Sequence, residues 1–208
     1  MIGFFGGSFD PIHLGHLNNA QQLKQQLNLS ALFLMPCRAP VHKNALTFST
    51  QQRLEILEIA IKDFPELRVD TREINRETDS YTIDSLKQIK QDHPKQSICL
   101  IIGMDSFNHL SSWKNYQEFR QYCHLIVLER PGQIKTNDTY NFTIAKDKTE
   151  LNNQVAGLVY FAKTDLQDIS SSDIRGILFD STTDGKICAK SNLVGLLPAS
   201  VINYLKKL

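Results

Sequence analysis

The sequence predicts a doubly wound α/β protein: a mostly parallel, Rossmann-like sheet with helices on both faces. Three observations carry this. Several short segments, among them ALFLMP (31–36), SICLII (97–102) and HLIVLE (124–129), are unbroken apolar runs without alternation. Strands covered by helices on both faces read that way. These runs alternate with stretches of helical period. The first of them, MIGFF, leads straight into Gly6 and Gly7, and in such sheets ligands bind beyond the carboxyl ends of the strands.

Taken in order, residues 1–5 read as a buried strand ending in a tight Gly-Gly turn. Residues 14–27 follow as a helix, and 31–36 as a second strand stopped by Pro36. Ser49 and Gln52 have the spacing of a capping box, opening a helix with Leu54, Leu57, Ala60 and Ile61 on its apolar positions. Residues 67–70 (LRVD) give a third strand, and Ser80 is placed to cap a helix bearing Ile83, Leu86 and Ile89. After the strand at 97–102 and Gly103, residues 113–122 read as helical, then 124–129 as a strand. Residues 133–155 are polar and aperiodic and read as loop. LVYFA (158–162) is the last strand, ISSSDIRGIL begins a helix after it, and LLPASVINYLKKL closes with another, Pro198 lying near its first turn. The expected organisation is a single domain over residues 1–208, its part from about 165 forming a small helical appendage.

Composition narrows the function. Twenty-three basic and 22 acidic residues leave a net charge of +1, so no global field recruits nucleic acid or an anionic membrane. Any anion site must be local. The four cysteines are scattered without metal-ligand or disulfide-framework spacing and read as reduced thiols. No apolar stretch approaches the ~20 residues of a membrane span, and the N-terminus lacks a signal-peptide pattern, so a cytoplasmic location is expected.

The chemistry concentrates in GGSFDPIHLGH (6–16). Gly6 and Gly7 allow close backbone approach, and N–H groups at the following helix start form an anion-binding concavity. The segment is neither the dinucleotide fingerprint GxGxxG nor a P-loop. In place of the P-loop lysine it carries His13 and His16, three apart on one helix face and able to donate to phosphate oxygens. Asp10 and Pro11 read as residues that fix the turn. A zinc site on the two histidines lacks any nearby cysteine to close it.

GGSFDPIHLGH resembles the signature of the nucleotidylyltransferase superfamily, and ISSSDIR (169–175) is similar to its second, Ser/Thr-rich signature with a downstream arginine. Within the superfamily the chain resembles the bacterial nicotinate-nucleotide adenylyltransferases, in PVHK (40–43), SYT (80–82), IIGMDSF (101–107), Ser112–Trp113, HLIVLERPG and LLPASVINYL. The likeness covers most of 1–130 and 157–205 but not 133–155. PCRAPVHK departs from the pattern at Cys37, where relatives usually carry two prolines before the histidine and no cysteine.

The resemblance implies transfer of an adenylyl group from ATP to nicotinate mononucleotide, giving nicotinate adenine dinucleotide and pyrophosphate. The attacking phosphate is already ionised, so alignment and charge neutralisation suffice. It implies that backbone groups around Gly6, Gly7, Ser8 and Phe9 hold ATP, that His13 and His16 grip its phosphates with His16 at the α-phosphate, and that Ser171 and Arg175 serve the departing pyrophosphate. His42 and Lys43 become candidates for the mononucleotide or triphosphate charges, and Mg²⁺ is expected to arrive bound to ATP, with no protein metal site. Trp113, otherwise read as core, takes a stacking role against the pyridine. Thr82 and the backbone N–H of Lys114 are candidates for the nicotinate carboxylate, Thr82 reading equally well as a helix-start residue bonded to its own backbone. Asp105, after Gly103, is either a ribose acceptor on the ATP side or a cap of the next helix. His93, His109 and His124 have no comparable context. Two competitors stand beside this reading: the same fold with another acceptor, such as nicotinamide mononucleotide or phosphopantetheine, and a non-catalytic nucleotide-binding regulator.

Overall fold

A computed structural model describes residues 1–38, 46–129, 138–165, 169–179 and 191–208. Seven strands form one sheet: β1 (Ile2–Gly7), β2 (Ala31–Pro36), β3 (Leu67–Val69), β4 (Ile98–Gly103), β5 (His124–Leu128), β6 (Thr143–Ile144) and β7 (Leu158–Ala162). Their order is β3-β2-β1-β4-β5-β7-β6, and every pairing is parallel. The chain therefore starts in the sheet, winds outward to β3, and returns to the other side of β1 at β4. The β1/β4 junction is the topological switch point, where a crevice opens beyond the strand ends.

Helices cover both faces, as the solid apolar runs require. In β4, Cys99 and Ile101 join one buried cluster, and Ile98, Leu100 and Ile102 join the other. The first cluster receives Leu17, Ala20 and Leu23 of α1 (Leu14–Gln26) and Ile56, Leu57 and Ala60 of α2 (Thr50–Ala60). The second receives Ile83, Leu86 and Ile89 of α3 (Thr82–Asp92) and Met104 and Phe107 of α4 (Met104–Asn108). Ile174 and Leu178 of α5 (Ser171–Leu178), with Val201 and Leu205 of α6 (Ala199–Leu205), pack into the first cluster beside Phe5 and Leu17. Ser200 Oγ also donates to Asp63 Oδ2 at 3.1 Å. Among the described residues no helix is long and apolar enough to cross a membrane.

The Ser49 capping box forms: Gln52 N donates to Ser49 Oγ at 3.2 Å and Ser49 N to Gln52 Oε1 at 2.9 Å. Four sequence expectations are corrected. β1 runs through both glycines, and the chain turns after them, where Phe9 takes φ 44°. Ser80 does not cap α3; Tyr81 occupies that position without a side-chain bond, and Ser80 Oγ donates instead to the Glu73 carbonyl at 3.1 Å. Residues 113–122 are not one helix, because Asn115 is left-handed (φ 52°) and only Tyr116–Gln121 form a 3-10 turn. Within 138–155, an edge strand and a 3-10 turn (Lys148–Asn152) replace the expected loop, anchored by buried Tyr140, Phe142 and Leu151; 133–137 lie outside the described residues.

Candidate active site

The loop leaving β1 is built around Phe9. A Cβ on Gly7 would stand 2.8 Å from the Phe9 ring, so the second glycine is required by close packing beneath the loop. Phe9 meets the His16 ring edge-on at 5.3 Å between centroids and Phe5 at 6.0 Å. This fixes the side of α1 on which His16 lies.

His13 is the N-cap of α1, and His16 N donates to His13 Nδ1 at 3.3 Å. An Nδ1 that accepts leaves the ring proton on Nε2, so a neutral His13 keeps a donor there. The two imidazoles lie 3.7 Å apart between centroids. Gly15 makes this possible: a Cβ there would sit 3.0 Å from His13 Nδ1. The spacing His-x-Gly-His thus places two donors at a helix N-terminus, where the helix dipole favours anions.

Asp10 is the corner on which the two signature segments meet. Its buried carboxylate accepts from Thr47 N at 3.0 Å and Phe48 N at 2.9 Å. Its carbonyl accepts from Arg175 Nη1 at 2.8 Å, and that guanidinium lies 3.8 Å from Asp10 Oδ2. Ser171 Oγ donates to the Pro11 carbonyl at 3.0 Å. The start of α5, capped by Ser170, is therefore bound to the loop after β1. Arg175 Nη2 also donates to Ser172 Oγ at 3.0 Å.

A cavity of about 480 Å³ lies at the switch point. Gly6, Gly7 and Ser8 form one wall; Thr82, Trp113 and Lys114, with Asp105, stand on others. Trp113 is half-buried and packs edge-on against Phe119 at 6.2 Å. Its ring thus belongs to the cavity wall and to the core at once. Thr82 is the first residue of α3, which no side chain caps. The Lys114 ammonium rests over the Tyr81 ring at 4.0 Å, a cation–π contact between two segments of the cavity wall. Asp105 is in the first turn of α4, whose N-cap is Gly103; its Oδ1 occupies the space beside Gly103, where a Cβ would approach within 2.6 Å.

Of the residues singled out from sequence, Gly6, Gly7, Ser8, Thr82, Asp105, Trp113 and Lys114 share this cavity. Phe9, His13, His16, Ser171 and Arg175 group around the Asp10–Pro11 corner beyond Ser8, outside the cavity lining, while Gly103 supports Asp105 from behind. His42 and Lys43 lie outside the described residues. Among the described residues no group of three or more His, Cys, Asp or Glu side chains is arranged to hold a metal ion.

Sequence reasoning missed three participants. Arg53 is almost fully buried in α2 and donates to the Ser8 carbonyl at 2.7 Å and the Arg38 carbonyl at 2.6 Å, tying the loop after β1 to the segment after β2. Burial lowers its pKa, while Cys37 and Asp10 oppose that shift. Glu73 lines the cavity, is 5% exposed and accepts from Ser85 Oγ at 2.7 Å; burial raises its pKa to about 7. His109, read as ordinary, also lines the cavity, its Nδ1 lying 2.8 Å from the Asp105 carbonyl. His124, by contrast, is a satisfied core residue, bonded to Gln154 O and Leu158 N.

The fold and the paired signatures define an enzyme of the nucleotidyl-transferring class, and the chain belongs to the cytidylyltransferase-like family, whose model matches residues 4–177. A Vesicomyosocius okutanii protein named "Probable nicotinate-nucleotide adenylyltransferase" is 52% identical over all of this chain and 95% of its own. One of the same name from Psychromonas ingrahamii is 41% identical over 99% of this chain and 94% of its own. Identity of that extent places the chain among the nicotinate-nucleotide adenylyltransferases of the family. The fold matches the Plasmodium falciparum nicotinic acid mononucleotide adenylyltransferase complexed with NaAD, with a TM-score of 0.72 at 20% identity over 99% of this chain and 94% of that one.

Proposed function

We propose that the chain transfers the adenylyl group of MgATP to nicotinate mononucleotide, releasing pyrophosphate and forming nicotinate adenine dinucleotide, a step of NAD biosynthesis. The relatives' shared name and the complex held by the Plasmodium protein support this reading. The observation that carries it is the convergence of Gly6, Gly7 and Ser8 with Thr82, Trp113 and Lys114 on one cavity, beside a histidine pair at a helix start.

A phosphate oxygen of the mononucleotide attacks the α-phosphorus, a new P–O bond forms, and the bond to the β-phosphate breaks. The nucleophile needs no general base. His13 Nε2 and the His16 imidazole donate to the α-phosphate as its charge redistributes, and Arg175 receives the departing pyrophosphate with its planar fork. Ser171 holds the corner that carries Arg175. Gly6, Gly7, Ser8 and Phe9 bind ATP through the backbone, and Asp105 accepts from ribose hydroxyls. His42 and Lys43 are assigned to the charges of the mononucleotide or of the triphosphate. Trp113 stacks on the pyridine, and Thr82 with the Lys114 N–H binds the carboxylate. Mg²⁺ enters with ATP and shields the triphosphate charges. ATP-driven synthesis of a soluble dinucleotide suits the cytoplasm.

Pyrophosphate release from MgATP tests this directly. Release with nicotinate mononucleotide well above that with nicotinamide mononucleotide or phosphopantetheine is expected. Preferred release with either of the other acceptors would discard the acid pocket, and silence with all three in a protein that binds ATP would favour a regulator.

A further inference from the structure

Glu73 poses a problem for an acidic substrate. It follows β3, and its carboxyl group lies in the wall of the same cavity as Thr82, Trp113 and Lys114. Among the described residues its side-chain hydrogen-bond partner is neutral: Ser85 Oγ donates to Oε1 at 2.7 Å, from one turn beyond Thr82 on α3. The neighbouring cations are engaged with other groups. Arg72 bonds both Asp70 oxygens through Nε at 2.9 Å and Asp92 through Nη1 at 3.1 Å. Arg76 bonds Ser85 Oγ at 3.1 Å and Gln88 Oε1 at 2.8 Å. Across the cavity, Lys114 rests on Tyr81, and among the described residues Asp105 and His109 complete the titratable groups facing the space, with Cys37 at the strand end.

A substrate carboxylate bound by Thr82 would bring a second negative charge into a cavity whose wall already holds the buried Glu73 carboxyl. Two carboxyl groups so placed cannot both stay ionised without a large penalty, and one takes a proton. The substrate acid is the one with donors waiting for it. Resting on the acid-substrate reading above, we propose that Glu73 couples substrate binding to protonation: the cavity takes up a proton at the Glu73 carboxyl as the acidic pyridine mononucleotide enters.

Burial already raises the Glu73 pKa to about 7, against the opposing effects of Ser85, Arg76 and Arg72, so the free protein is poised to take that proton near neutrality. A bound carboxylate raises it further. The sign follows. Affinity for the acid is full below the free-state midpoint and falls as pH rises through it, by at most about tenfold per pH unit for one proton.

The test is a proton inventory. Heats of nicotinate mononucleotide binding are measured at about pH 8 in buffers of different ionisation enthalpy, for wild type and Glu73→Gln. At that pH free Glu73 is mostly ionised, so wild type should take up more protons than the variant, by at most one. The KM for nicotinate mononucleotide should also climb between about pH 7 and 9 in wild type and lose that rise in Glu73→Gln. Ser85→Ala, which removes a bond to the ionised form, should move the onset of the rise to higher pH and serves if Glu73→Gln does not fold. Equal proton uptake in wild type and Glu73→Gln, or an onset unmoved by Ser85→Ala, overturns the inference while leaving the substrate assignment intact. Failure of nicotinate mononucleotide to bind at all overturns both.

Discussion

The guanidinium of Arg175 donates to the backbone carbonyl of Asp10 at 2.8 Å, joining residues 165 positions apart in the chain. Asp10 uses its carboxylate at the same time to hold Thr47 and Phe48. One buried residue thereby sets the positions of two segments, residues 47–48 and α5, against the loop after β1. A lysine at 175 has a single point of charge and cannot hold Asp10 while presenting a second planar edge to an anion. Arg175→Lys is expected to fold with turnover lowered by at least about tenfold, the cost of losing one fork contact of about 1.5 kcal/mol. Wild-type pyrophosphate release from the purified variant would remove Arg175 from the site.

His16→Ala should retain its circular dichroism spectrum and melting cooperativity. Turnover should fall on the order of 10²–10³, the scale for one preorganised donor to developing charge. A loss of less than about tenfold would refute the role given to His16.

Gly15→Ala separates stability from activity. Alanine in a helix is favoured over glycine by about 0.5–1 kcal/mol. Its methyl, however, would meet His13 Nδ1 at 3.0 Å, so the imidazole must yield. The expected result is an unchanged or higher Tm with turnover down by more than about tenfold, because misplacing a reacting contact by a fraction of an ångström is costly. Full activity would mean that the His13 ring position does not matter.

Arg53→Met should destabilise by about 2–4 kcal/mol in denaturant unfolding, since it removes a buried guanidinium and leaves the part-buried Ser8 and Arg38 carbonyls without their charged donor. Ser49→Ala, which breaks an exposed capping box, should cost only about 1 kcal/mol. If the two cost the same, Arg53 is not the tie between the loops that its bonds describe.

His124 gives the fold an acid sensitivity unrelated to the site. It is fully buried, accepts from Leu158 N at Nδ1, and burial lowers its pKa below 6.5. A histidine depressed in the folded state leaves stability whole above its unfolded pKa and loses it as pH falls through the window below. Wild-type Tm should therefore decline as pH drops below 6.5, and His124→Gln should show a shallower decline over the same range. Parallel profiles for the two proteins would assign the acid sensitivity elsewhere.

The central strands were legible because each is a continuous apolar run with turn chemistry at its end, and burial on both faces imposes that pattern whatever the partners. The Ser49–Gln52 box was legible for a similar reason: both halves of the interaction lie within four residues. Ser80 shows where local logic fails. Its spacing fits a cap, but its hydroxyl goes to the Glu73 carbonyl, seven residues back on another segment. Arg53 and Glu73 carried no signal at all. Glu73 sits in a stretch that reads as polar surface and Arg53 is a charged residue in an amphipathic helix, and only the meeting of distant segments buries them. Gly7 lay where the rule for parallel sheets puts a ligand, Thr82 and Trp113 stood out through the family resemblance alone, and His109 joined them through the short helix α4, which its local sequence did not announce.

The Asp10–Arg175 contact also has a consequence for how the molecule comes into being. As the chain leaves the ribosome, the glycine loop is made before the segments it meets, and its strand acquires its second neighbour only when β4 has emerged. The corner at Asp10 must wait longer still, until residue 175 arrives. A nascent chain can thus assemble most of its sheet while this corner stays open, and the contact that closes it arrives late, with α5.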